Sequence, residues 1–228
     1  MLHLPRRPLL AAPAAWLLTP PAAWLSTPGA FAADLTATMT EGPLYPDRIP
    51  IDTDNDLLVI NDSITPAVGE ITYLDGRVTN AGGGPIAGAH VEIWQCDHQG
   101  IYMHGRDSRH NDRDGNFQSY GRFITGRDGR YGFRTIRPVR YAGRTPHIHI
   151  AVSKNGHRIL TTQLLIAGEP QNQQDSLFKQ LTPDQRPTVL AKFLRQPDAN
   201  PVQWQVTHDL ILGRTANETH LNAASGQG

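Results

Sequence analysis

An antiparallel β-sandwich is the fold class this sequence predicts, on three observations. Apolar residues recur with a period of two in several short runs. Turns rich in Gly, Pro and Asn bound those runs, and helical periodicity is almost absent. The 228 residues suit one domain, which at this size buries about 70% of its unfolded surface.

Residues 1–32 read as an export signal: Arg6-Arg7, a mostly apolar run from Leu9 to Leu25, and Ala30-Phe31-Ala32 as the cleavage site before Ala33. Pro13, Pro20 and Pro21 interrupt the run, which argues against a stable membrane span. The paired arginines predict the twin-arginine route and a periplasmic mature protein. Residues 33–66, with scattered Pro and Asp, read as an N-terminal arm, 67–213 as the sandwich domain with long site-bearing loops, and the polar 214–228 as a flexible tail.

Within the domain, Ile71–Val78 and Ala89–Trp94 read as strands joined by the Gly-rich turn Asn80–Pro85. Ala89, Val91 and Ile93 share one face, and His90, Glu92 and Trp94 the other. Asp97–Gln118 is polar and reads as a long irregular loop. Gly121–Thr125 and Arg130–Thr135 read as a hairpin turned at Gly126-Arg127-Asp128-Gly129, and His147–Val152 and Ile159–Ile166 as another turned at Asn155-Gly156. Thr182-Pro183-Asp184-Gln185 matches a helix capping box, and Gln203–Leu212 reads as the last strand.

Charge is balanced, with 21 basic and 21 acidic residues, and removal of the leader leaves 19 against 21. That balance excludes a nucleic-acid footprint and fits small-molecule chemistry. The lone Cys96 rules out an internal disulfide and reads as a small buried hydrophobe at a strand end. The sequence leaves homo-oligomerisation open.

The most informative segment is Tyr141 to His149. On an extended strand His147 and His149 point one way, and Ile148, Ile150 and Val152 the other, into a core. Two imidazoles on one face can hold a metal, and nearby Tyr102 and Tyr141 would add hard, anionic phenolates that favour Fe(III) over zinc. A His-x-His pair also arises on surfaces, a buried tyrosine is commonly core, and His98, His104 and His110 in the polar loop are alternative ligands or solvated side chains. Arg144 has no acidic partner nearby, since none lies between Asp128 and Glu169.

The ordered segments Glu41-Gly42-Pro43-Leu44-Tyr45-Pro46, Gly76-Arg77-Val78, Pro85-Ile86-Ala87-Gly88-Ala89, Val91-Glu92-Ile93-Trp94-Gln95, Gly100-Ile101-Tyr102, Gly129 to Pro138 and Arg144 to His149 resemble the intradiol ring-cleavage dioxygenases, most closely the protocatechuate type. The resemblance covers about Glu41 to Asp175. It implies a prealbumin-like sandwich holding one non-haem Fe(III) per chain on Tyr102, Tyr141, His147 and His149, with catechol and O2 as the small-molecule partners. It further implies that Tyr141 leaves the metal when a catechol binds and that Arg144 stabilises charge formed afterwards. Gly42 and Pro43 would cover the pocket mouth, Gln163 would orient substrate or O2, and Trp94 would pack behind Tyr102. Only five residues separate Tyr141 from His147, shorter than is usual in the protocatechuate type, which reduces the expected pocket wall.

Two other functions fit parts of the pattern. Prealbumin-like sandwiches also serve as non-catalytic binding or spacer modules of exported proteins, but those need none of the five residues of the site. A zinc or copper hydrolase could use His147, His149 and a loop histidine.

Overall fold

The computed structural model describes residues 34–61 and 64–213. The segments read as leader and tail, and Ala33 at the start of the arm, lie outside the described residues. Among the described residues no helix is long and apolar enough to cross a membrane.

The strands form two five-stranded sheets. In the first, β1 (Ile71–Asn80) pairs antiparallel with β4 (Arg130–Ile136) along one edge. Its other edge is shared by β9 (Gln203–Thr207) and β10 (Leu210–Leu212), both parallel to it, and β8 (Leu194–Arg195) pairs with β9. The second sheet runs β3 (Tyr120–Ile124), β2 (His90–Trp94), β5 (His147–Lys154), β6 (His157–Ile166), β7 (Leu190–Ala191), with only the β6–β7 pair parallel. The sandwich is therefore mixed rather than purely antiparallel, because Gln203–Leu212 returns along β1 in the same direction.

Period-two alternation places one face of each strand in the gap between the sheets. Leu74 and Val78 of β1 and Phe133 of β4 meet Val91, Ile93, Ile148, Ile150, Val152 and Leu164 from the second sheet, all essentially buried. The hairpin expected over Gly121–Thr135 is an arch instead, and so is the Gly-rich turn after β1. The turn after β1 carries the chain across to the second sheet, where β2 pairs with β3 and β5, and the turn after β3 carries it back to β4. Turn chemistry fixes a reversal but not the sheet it returns to, and crossing the gap lets flanking apolar faces meet: the Phe123 and Phe133 rings lie 6.3 Å apart. The β5–β6 hairpin forms as expected, with Asn155 and Gly156 both at positive φ.

The last strand is split at His208-Asp209. There Arg77 N donates to Asp209 Oδ1 at 2.8 Å, Tyr131 Oη donates to the His208 carbonyl at 2.6 Å, and a Cβ on Gly76 would overlap that carbonyl. The capping box at Thr182 closes with both reciprocal bonds, yet only the 3-10 turn Arg186–Val189 follows it. The α-helix among the described residues is α1 (Ser176–Gln180), capped by Asp175 and not anticipated from the sequence.

The outer face of the second sheet is also covered, which is why His147–Val152 is buried on both sides. The arm lies over it, with Met39 N donating to Thr161 O and Thr162 Oγ1 to Ala37 O. Two satellite clusters flank this face. One joins Ala37 and Met39 to Leu165, Phe178 and Val189, and the other gathers Leu44, Trp94, Cys96, Tyr102, Tyr120 and Ala151. The histidine pair opens onto this outer face.

Candidate metal centre

Extended backbone at β5 puts both histidines on the outer face, and their Nε2 atoms are 3.1 Å apart. Tyr102 Oη reaches His147 Nε2 at 3.2 Å, and the Tyr141 ring sits edge-on to Tyr102 with centroids 5.0 Å apart. All four predicted ligands are thus brought together. His147 Nδ1 donates to the Thr145 carbonyl at 2.6 Å, which puts the neutral ring's lone pair on Nε2, facing the cluster. His149 is held differently. Trp94, opposite it in the β2–β5 register, stacks on its ring at 4.7 Å and 9°, while its buried Nδ1 has no partner. Trp94 was expected behind Tyr102; it shares that residue's cluster but lies flat on His149.

Tyr102 belongs to the irregular loop, which buried carboxylates organise in place of a ladder. Asp97 Oδ1 accepts from Gln99 N and Ile101 N, Asp97 Oδ2 from Asp114 N, and Asp107 Oδ2 from Tyr102 N at 3.0 Å. Tyr141 sits on a two-residue turn, bridged to Arg144 across Ala142 and Gly143, both at positive φ. His104 Nδ1 accepts a local bond from Arg106 N. Among the described residues no three His, Cys, Asp or Glu side chains converge, so the hydrolase alternative with a loop histidine is not assembled.

Burial dominates the electrostatics. It lowers the His147 pKa to about 4 and holds His149 well below the ordinary range, with neighbouring positive charge adding to the effect, so both rings are neutral. It also raises Tyr102 well above the usual phenol value and raises Tyr141. A buried phenol of this kind ionises only beside a compensating cation. Converging lone pairs, two neutral imidazoles and two phenols fit a hard, highly charged metal ion. Cys96 is buried with its thiol pushed up to about 12, consistent with a packing role.

Arg144 departs from expectation. It is not short of an acidic partner: Nε donates to Asp175 Oδ2 at 2.7 Å, and Nη2 donates to Gln163 Oε1 at 2.7 Å. Gln163, opposite His149 on β6, spends its amide on Thr40 O at 2.8 Å, so in this structure it orients Arg144 and the arm. Gly42, at φ +74°, passes over the site, where a Cβ would lie 3.7 Å from His149 Cε1; Pro43 is exposed beside it. Glu41 pairs with Arg158 at 3.2 Å, and Arg158 pairs with Glu92 at 2.9 Å, which fastens the arm to the sheet. Glu92 also accepts from Tyr45 and Tyr120. Sequence reasoning missed Asp175 and this Glu92 network; the Asp-Ser-Leu-Phe cap pattern was the one available signal for the former.

The two-sheet sandwich thus carries a buried His–Tyr cluster on one outer face, a donor set that fits a single metal ion. A family model described as Dioxygenase matches residues 40–214. The chain is 31% identical over 173 residues to hydroxyquinol 1,2-dioxygenase of Rhizobium sp. (strain MTP-10005), covering 64% of this chain and 56% of that one. It is 34% identical over 135 residues to the protocatechuate 3,4-dioxygenase beta chain of Burkholderia cepacia, covering 55% and 57%. Among solved structures, the dioxygenase domain of a dioxygenase carbohydrate-binding protein fusion from Streptomyces sp. SirexAA-E superposes with a TM-score of 0.60 at 30% identity, covering 80% of this chain and all of that one. The chain belongs to the intradiol ring-cleavage dioxygenase family. It spans little more than half the length of the curated relatives named here.

Proposed function

We propose that the protein is a non-haem Fe(III) intradiol dioxygenase that opens a catechol-type ring between its two hydroxyl-bearing carbons. The observation that carries this reading is the buried convergence of Tyr102 Oη and His149 Nε2 on His147 Nε2, at 3.2 and 3.1 Å, with Tyr141 beside them. The alternative, a non-catalytic spacer module, gives no reason to desolvate two imidazoles and a phenol at one point.

Tyr102, Tyr141, His147 and His149 would hold the ion, which when bound supplies a Lewis acid and an electron acceptor that prepares the ring for O2. Tyr141, half-buried on its turn, is the group suited to give way to substrate and take up a hydroxyl proton as phenolate. Arg144, oriented by Asp175 and Gln163, stabilises negative charge that develops on the ring and on the incoming oxygen. Gly42 closes over His149 at the site mouth, and the clusters around the site exclude water. Both oxygen atoms of O2 end in the two carboxyl groups of a muconate-type product.

The test is a visible spectrum with metal analysis, followed by oxygen uptake on adding catechol, protocatechuate or hydroxyquinol. The expected protein is red-brown, carries about one iron per chain, and consumes one O2 per ring opened. A colourless zinc protein from iron-replete cells, inert to all three, overturns the reading.

A further inference from the structure

Asp175 lies 31 residues beyond Arg144, yet it binds both Arg144 Nε at 2.7 Å and Thr145 N at 3.0 Å through Oδ2. Its other oxygen caps α1, accepting from Leu177 N at 2.9 Å and Phe178 N at 3.0 Å. The residues leading to it grip the same short segment. Gln171 Nε2 donates to the carbonyls of Gly143 and Arg144, and Asn172 Oδ1 accepts from Thr145 Oγ1 at 2.6 Å. The segment that bears Tyr141, Arg144 and the carbonyl partner of His147 is therefore shaped against a strap at 171–175.

The Asp175 side chain is fully buried, and its four donors fill the roughly four lone-pair sites of a carboxylate. Burial alone would raise its pKa, but the Arg144 bond and the Phe178 and Thr145 N–H groups outweigh that and keep it below the ordinary value. A saturated, buried carboxylate cannot serve as a base toward substrate. What it can do is remove the rotamer freedom of a long, flexible side chain.

Resting on the dioxygenase reading above, we propose that Asp175 is a positioning residue, whose carboxylate locks the Arg144 fork in the orientation that ring cleavage requires. Bonds through Nε and Nη2 set the plane of the guanidinium, so protein rather than substrate determines where Nη1 points. Gln163 is the lesser half of the clamp, being neutral and shared with Thr40.

Asp175→Asn tests this. An amide oxygen can serve α1 or Arg144 but not both, and its NH2 then opposes an N–H donor. The expected variant keeps its iron, its visible band, its spectral shift on adding catechol and nearly its KM, while kcat falls about 10- to 100-fold. Made in an Arg144→Ala background it costs little more, because the route through Arg144 is already cut. In metal-free protein the slow-exchanging Arg144 Nε–H resonance is expected in the wild type and lost in the variant. Wild-type kcat in Asp175→Asn, or a loss that multiplies in full with Arg144→Ala, overturns the role. Should the variant not fold, Asp175→Ser, which still caps α1, carries the same expectation; failure of both to fold makes Asp175 structural and overturns the role. An iron-free, inactive wild type instead sinks the functional reading, and the positioning role with it.

Discussion

Tyr102 and Tyr141 offer the same phenol to the same cluster but are held in opposite ways. Tyr102 is 2% exposed, its amide is tied to Asp107, and its loop is pressed against Arg140 at Gly100, where a Cβ would come within 2.7 Å of the Arg140 carbonyl. Tyr141 is half-buried at the base of a two-residue turn whose tip, Ala142-Gly143, is exposed. Burial raises both phenols, and does so more strongly at Tyr102. In the function proposed above, one would be the permanent ligand and the other the exchangeable one, the division of labour that substrate entry at a four-ligand centre demands.

Tyr102→Phe is expected to break this comparison most severely. Losing a ligand should weaken metal binding by more than the about 10- to 100-fold that losing an outer partner costs, and turnover should vanish with the iron. Tyr141→Phe should keep part of its iron, with an altered visible band and partial activity. Metal analysis and spectra of the two variants side by side decide the matter. Equal, wild-type bands in both would remove the ligand assignment, and equal total loss would remove the asymmetry.

Arg144→Ala comes next, because it strips charge from the segment that carries Tyr141 while leaving the Tyr102 loop untouched. Removal of a preorganised cation typically lowers turnover about 10²- to 10³-fold. It also leaves the buried Asp175 short of a partner, at a cost of about 1–3 kcal/mol that a lower thermal midpoint should report. Iron and colour should persist. A variant that turns over normally, or one that holds no iron, would contradict the charge-stabilising role.

How much of this was legible before folding follows from the range of each signal. The histidine pair was, because period-two alternation is local and His147, Ile148, His149 and Ile150 sort themselves onto two faces without any partner strand. The Trp94–His149 stack was not, since it exists only once β2 and β5 pair in register. The Gly126–Gly129 arch was misread as a hairpin because it, like Asn80–Pro85, encodes a reversal, while the choice of sheet depends on which distant apolar faces the turns bring together. Asp175 escaped notice for a similar reason: a search for an acidic partner near Arg144 in sequence ended at Glu169, and the partner lay beyond it in a cap that forms only when α1 docks through Phe178.

The smallest expected effects come from the two glycines that shape the tyrosine segments, and they separate sterics from backbone strain. Both have left-handed backbone, Gly100 at φ +74° and Gly143 at φ +81°. An alanine at either position meets the cost of that conformation, roughly 1–2 kcal/mol. At Gly143 nothing lies within 4 Å of the added carbon, so the cost stops there, and Gly143→Ala should lower the thermal midpoint slightly while leaving iron in place. At Gly100 the added carbon meets the Arg140 carbonyl, a backbone atom that cannot swing aside, so the loop must shift and carry Tyr102 with it. Gly100→Ala should therefore destabilise more and also weaken the visible band. Thermal melts and spectra of the two variants settle it: equal losses in both would mean that the Tyr102 loop is no more tightly fixed than the Tyr141 turn, and the contrast between a permanent and an exchangeable phenol would lose its structural basis.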